Sequence, residues 1–149
     1  MIRTERRWRL CTALLIANLV FIWGNSLLPG EISGAFSDWV KDIVASLFPG
    51  DGSGAPGGGL LRKLAHFTEF TALGMLLTWR MGMLDKHSGR ALALGAGAAC
   101  VDETIQRFVP DRGPSIRDVC IDTCGVLTGM TLLLIGHYLI KHKIGGKQL

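Results

Sequence analysis

Charge is scarce in this sequence. Only 19% of its 149 residues are Asp, Glu, Lys or Arg, while 48% are apolar. Soluble domains usually carry about 25% charged residues, and the apolar residues here gather in long blocks, which argues for a membrane protein. No basic stripe is interleaved with aromatics. The net charge of +4 and the pI near 9.1 therefore do not point to nucleic acid; Lys and Arg stand in short segments beside the apolar blocks, as membrane topology signals do. There is no CxxC among the cysteines, Cys11, Cys100, Cys120 and Cys124. Cys120 and Cys124 are one helical turn apart, a spacing open to a metal, but all four read best as small apolar residues facing lipid or neighbouring helices. No small-x-small cleavage site follows the first apolar run, so that run reads as a retained helix rather than a signal peptide. No internal repeat is present.

What is there is a series of four apolar runs, at about 10–28, 64–83, 91–109 and 119–140. Each is close to the roughly 20 residues that a membrane-spanning helix needs. Between the first two, Ile32, Phe36, Trp39, Val40, Ile43, Val44 and Leu47 recur at helical spacing, with Ser37, Asp38, Lys41, Asp42 and Ser46 on the other face. That stretch is too short to span and is expected to be an amphipathic helix lying at the interface. GDGSGAPGGG, residues 50–59, reads as a flexible linker. A short polar turn, DKHSGR, and a second one, PDRGPS, separate the later runs. The expected fold is all-α: a single domain over residues 1–149 with four transmembrane helices and an interfacial helix after the first.

With the N-terminus in the cytoplasm, the inside segments hold Arg3, Arg6, Arg7, Arg9, Arg80, Lys86, Arg90, Lys141, Lys143 and Lys147. The outside then holds Lys41, Arg62, Lys63, Arg107, Arg112 and Arg117. Ten against six favours both termini inside.

On that topology the ionisable residues of the last three runs share one depth. His66 and Glu69 lie in the second run, Asp102 and Glu103 in the third with Gln106 and Arg107 following, and Asp118 and Asp122 at the start of the fourth. At about 1.5 Å per residue they fall within roughly 10 Å of the outer edge. His66 and Glu69 share a helix face, as do Glu103 and Gln106. The stripe of Asp118 and Asp122 continues through Gly125 and Gly129, a small-xxx-small pair suited to close helix approach, so the aspartates belong on a packing face. Carboxylates in lipid cost several kcal/mol unless paired or neutralised, roughly 2.5–3.5 on insertion scales. Arg62, Lys63, Arg107, Arg112 and Arg117 are available partners. A polar network tying helix ends together would explain any one of these residues, and Asp118 also suits a helix N-terminus. The whole set points instead to an outward-facing polar pocket.

Several chemistries fit that set. His66 with Glu69 could be a general base and its orienting carboxylate. His66 with Glu103, Asp118 and Asp122 could hold a divalent metal. Arg112 could clamp a phosphate or carboxylate. No serine or cysteine stands beside His66 in a nucleophile motif.

Two segments carry a family resemblance. RKLAHFTEFTALGMLL, Arg62 to Leu77, and DETIQRFVPDRGPSIRDVCIDTCGVLTG, Asp102 to Gly129, are similar to the signature of the VanZ-like family. That signature pairs an AHF-x-E-[YF] helix start with a D-E-x-x-Q-x-F-x-P-x-R turn and a D-x-x-x-[DN]-x-x-G helix. The matching positions are His66, Glu69 and Phe70; Asp102, Glu103, Gln106, Phe108, Pro110 and Arg112; and Asp118, Asp122 and Gly125. NSLLPGEIS, Asn25 to Ser33, resembles the polar end of the family's first helix. The resemblance implies a bacterial inner-membrane protein, in a family named after a teicoplanin-resistance protein, and carries no defined reaction or cofactor. The expected function is to bind or modulate an envelope lipid or cell-wall precursor. The alternatives are an enzyme acting on a lipid-linked or phosphorylated head group and a purely structural helix network. In an enzyme, His66 or Glu103 would be the acid/base, with Glu69 as a further catalytic candidate. Asp118 and Asp122 would be the metal or substrate ligands, and Arg112 the anion clamp, with Gln106 as a further ligand-binding candidate.

Overall fold

A computed structural model describes residues 2–29, 39, 42–43, 58–82, 88–110 and 112–145. Four helices carry most of them: α1 (Ile2–Ser26), α2 (Gly58–Met81), α3 (Ser88–Gln106) and α4 (Ile116–Gly145). No described residue lies in a strand.

The ends follow from local chemistry. The chain leaves α1 at Leu27 and Leu28 and meets Pro29, which cannot donate to a continued helix. Gly82 ends α2 with φ of 85°, a left-handed cap that glycine adopts without a Cβ penalty. After α3, turn bonds from Phe108 N to Ile105 O and Val109 N to Gln106 O lead into Pro110. Ser115 caps α4, its Oγ accepting from Asp118 N at 3.3 Å. Ser115→Ala should cost about 1 kcal/mol, read as a lower unfolding midpoint in detergent.

The expected interfacial helix and linker residues 50–57 lie outside the described residues, apart from Trp39, Asp42 and Ile43, which are helical. Several boundaries differ from expectation: α1 begins at Ile2 rather than near 10, α3 ends at Gln106 rather than near 109, and α4 runs over Ile116–Gly145 rather than about 119–140. Gly58 and Gly59, assigned to the linker, open α2, since nothing after Pro56 blocks a helix and glycine is tolerated at a helix start. Ser88 to Arg90, assigned to a turn, open α3, where Ser88 suits an N-terminus.

The helices alternate in direction. Cys11 Sγ donates to Leu76 O, and Arg80 Nε to Thr12 Oγ1, at one end of the α1–α2 pair; Asn25 Nδ2 donates to Glu69 Oε1 at the other. Trp23 Nε1 donates to Ala98 O and Gln106 Nε2 to Ser26 Oγ, so α3 runs parallel to α1. The closest pair is α2 with α4, which run parallel. A Cβ built on Gly125 would sit 2.7 Å from Phe67 O, and one on Gly129 would strike Thr71 O. Both glycines are buried, so the expected close approach is present and its partner is the backbone of α2. Ile22, Phe70, Leu73, Leu77, Ala91, Ala98, Ala99, Val126 and Met130 form the apolar core.

Two helices, over Glu5–Ser26 and Ile116–Lys143, are long and apolar enough to cross a membrane. α2 carries Arg62, Lys63, Glu69 and Arg80, and α3 is rich in Gly and Ala and carries Arg90, Asp102 and Glu103; these lower their apolar character. Large apolar side chains, among them Ile16, Val20, Phe21, Leu94, Val101, Leu132, Ile135 and Leu139, face outward. So much exposed apolar surface is foreign to a soluble monomer.

Candidate functional site

The polar ends of all four helices meet at one end of the bundle. Asn25 and Ser26 close α1, Arg62 to Glu69 open α2, Asp102 to Gln106 close α3, and Asp118 and Asp122 open α4. The alternating direction of the helices produces this: two C-termini and two N-termini share the end at which each run becomes polar.

Asp102 is at the centre and fully buried. Its Oδ2 accepts from Gln106 Nε2 at 2.7 Å, one helical turn on. The same Gln106 nitrogen stands 3.3 Å from Ser26 Oγ, and Gln106 Oε1 accepts from Arg62 Nη2 at 3.3 Å. One buried amide thus links α1, α2 and α3. His66 Nδ1 lies 3.9 Å from Asp102 Oδ2 and 3.9 Å from Glu69 Oε2, beyond hydrogen-bond length. Glu69 instead accepts from Asn25 through Oε1, at 2.9 Å.

Glu103 and Asp118 are engaged elsewhere. Glu103 Oε2 accepts from Ser115 N at 2.6 Å, pinning the turn that precedes α4. Asp118 Oδ1 pairs with Lys63 Nζ at 3.3 Å. Arg112 reaches back to Ser26 O through Nη1, at 3.3 Å. Burial lowers the guanidinium's pKa from its ordinary value, as does Arg62 nearby, against the opposing pull of Asp102 and Glu103. Asp122 is buried and its Oδ1 has no hydrogen-bond partner. Buried atoms of the same kind at this end, without a hydrogen bond, are His66 Nδ1, Glu69 Oε2, Asp102 Oδ1, Glu103 Oε1, Arg112 Nε and Asp118 Oδ1, and Asn18 Oδ1 is another, within α1. Such atoms are rare in folded proteins, and a concentration of them at one place marks a site that a ligand, ion or water completes.

A small cleft opens between α2, α3 and α4, lined by Arg62, Lys63, His66, Glu103, Gln106, Asp118, Ile121 and Asp122. Of the seven residues singled out from the sequence, His66, Glu103, Gln106, Asp118 and Asp122 line it. Glu69 stands behind His66, and Arg112 approaches from the α3–α4 turn. The donor set differs from the one expected for a metal. His66, Asp102 and Asp122 bring one ligand atom each to within 4.8 Å of one another, whereas Glu103 and Asp118 are drawn to Ser115 and Lys63. Asp102 was placed in the polar cluster and the family motif but given no role, although its spacing of four from Gln106 puts both on one helix face. Ser26 and Asn25 were read only as a helix end; nothing local in the sequence marks their link to α2 and α3.

The cysteines do not join the site: all four are free, Cys11 buried and the other three on outward faces.

No curated protein and no solved structure matches the chain. The family model described as VanZ/LLP1 matches residues 9–137. That match reaches into all four helices and takes in every residue of the polar end, and the chain belongs to the VanZ/LLP1 family.

Proposed function

We propose that the protein crosses the bacterial inner membrane four times with both termini in the cytoplasm, and that its polar end faces outward to bind an anionic head group of an envelope lipid or cell-wall precursor. The observation that carries this reading is the pairing of two features. Arg62 and Lys63 line a polar cleft at one end of the bundle, and Arg112 is held at the same end by Ser26 O. An apolar cavity of about 610 Å³ lies between α1, α2 and α3, lined among others by Leu19, Trp23, Leu77, Leu94 and Val101. The guanidinium and ammonium groups of Arg62 and Lys63, set among carboxylates, can take a phosphate or carboxylate, and an apolar cavity facing lipid suits an acyl or prenyl chain. A link to teicoplanin resistance follows if the head group belongs to a cell-wall precursor.

The test of binding uses the purified protein in nanodiscs, offered phosphatidylglycerol, a polyprenyl phosphate and phosphatidylcholine. The anionic lipids should bind in preference, and Arg62→Ala with Arg112→Ala should weaken them by more than about tenfold, as the loss of charge-assisted hydrogen bonds implies. Equal binding of all three lipids, unchanged by the substitutions, would sink the reading.

Orientation has its own test. In a background without the native cysteines, Gly113→Cys should react with a membrane-impermeant maleimide in intact cells. Gly113 is exposed in the α3–α4 turn. A cysteine appended to the C-terminus should react only after lysis; the reverse pattern would invert the topology.

A second reading is supported by His66, whose Nδ1 faces two carboxylates on different helices. In it the same cleft hydrolyses a phosphorylated head group, with His66 as the acid/base group. Release of inorganic phosphate from a polyprenyl diphosphate, abolished by His66→Gln, would replace binding with turnover.

A further inference from the structure

We infer that His66, Asp102 and Asp122 hold one divalent first-row transition-metal ion between α2, α3 and α4. One ligand atom from each helix lies within 4.8 Å of the other two, and this is the one such grouping among the described residues. Ligand atoms around a single zinc-sized ion stand about 3.4 Å apart in tetrahedral geometry. His66 Nδ1 and Asp102 Oδ2 are already at 3.9 Å, so small side-chain rotations would complete the set.

Three independent features point to a cation rather than to packing. The first is orphaned chemistry. Asp102 is 0% and Asp122 2% exposed, yet each has an oxygen with no hydrogen-bond partner, and Asp122 lines the cleft. A buried carboxylate oxygen left without a partner is costly unless something binds it. The second is charge. Glu69, Asp102, Glu103, Asp118 and Asp122 face Arg62, Lys63 and Arg112 at this end. Arg107 and Arg117 are exposed at the same end, so among the groups in contact within it carboxylates outnumber cations, a surplus that a divalent ion suits. The third is outer support. Gln106 Nε2 holds Asp102 Oδ2 at 2.7 Å, as groups behind a metal ligand commonly orient it. The free space of the cleft is about 10 Å³, the scale of a single small occupant.

The ligand types narrow the ion. One imidazole with two carboxylates favours zinc, iron or manganese over magnesium or calcium, which prefer all-oxygen shells. Only part of a coordination sphere is protein, so the open positions face the cleft. An ion there would also lower the repulsion that five carboxylates present to an anionic head group.

The experiment uses the full chain in detergent, stripped with EDTA and titrated separately with Zn²⁺, Mn²⁺ and Mg²⁺. Metal content after desalting and the thermal unfolding midpoint are both read. Zinc or manganese should bind at one equivalent per chain and raise the midpoint, while magnesium at the same concentration should do neither. Asp122→Asn keeps the side chain's volume and should weaken binding by more than about tenfold while retaining wild-type helicity by circular dichroism. The wild-type titration stands without any variant: absence of stoichiometric zinc or manganese and of a midpoint shift overturns the site. So does an Asp122→Asn protein that binds as tightly as wild type. Lipid preference in nanodiscs is measured apart from metal content, so the failure of this site and the failure of the head-group reading are separate results.

Discussion

Gly129→Leu will prevent the bundle from assembling. A Cβ at this position meets the Thr71 carbonyl and lies 2.9 Å from Met75 N, so the obstacle is the backbone of α2, which cannot rotate aside as a side chain can. In the bilayer setting proposed above, close packing rather than the hydrophobic effect holds helices together, and small residues at the contact permit it. Overpacking usually costs about 1–3 kcal/mol. Even Gly129→Ala should reach that range, and leucine should exceed it, because α2 must move away from α4 along its length. The check is thermal unfolding in detergent together with size-exclusion behaviour. Gly136 is the control. It lies on the same helix two turns later with nothing within 4 Å of a built Cβ, so Gly136→Leu should stay within about 0.5 kcal/mol of wild type. If Gly129→Ala unfolds at the wild-type midpoint, α2 and α4 are not packed backbone to backbone.

That contact was legible before any coordinates. Asp118, Asp122, Gly125 and Gly129 repeat at helical spacing, and small residues in series on an apolar helix mark a packing face. The helices themselves were equally legible, because apolar runs broken by Pro, Gly and polar turns leave few alternatives. Boundaries were less so. Residues 58–59 and 88–90 are polar or small and read as loop, yet a helix can begin on such residues, and only the presence of packing on the far side decides it. That the polar residues share one end of the bundle followed from counting residues along each run. The grouping within it did not. Glu103 and Gln106, three apart, share the cleft as expected, but their hydrogen bonds diverge: Gln106 turns to Asp102, four apart, and Glu103 to Ser115 across the α3–α4 turn. Spacings of three and four both place residues near each other on a helix, so rotation of α3 against its neighbours had to be seen. The role of Ser26 could not be read at all, since its partners Gln106 and Arg112 are some eighty residues away in sequence.

Gln106→Leu separates the scaffold of the polar end from its binding chemistry. Leucine resembles glutamine in size but removes the amide that serves Asp102, Ser26 and Arg62 together. Asp102 and Ser26 are completely buried, so neither finds water in exchange. An unsatisfied buried polar group costs about 1–3 kcal/mol, more when charged, so the loss should be about 3 kcal/mol or larger and appear as a lower unfolding midpoint. Coupling should be visible too. Ser26→Ala in the Gln106→Leu background should cost less than Ser26→Ala alone, by at least about 0.5 kcal/mol, because the two share one hydrogen bond. Asp122→Asn should behave in the opposite way. Its Oδ1 has no hydrogen bond to lose, and removing an unpaired buried charge relieves a desolvation cost, so the EDTA-stripped protein should be as stable as wild type or more so. A chain in which both substitutions unfold the bundle to the same extent would be a helix network without a site. Stability lost at Gln106 and kept at Asp122 would mark Gln106 as scaffold and leave Asp122 available for a ligand.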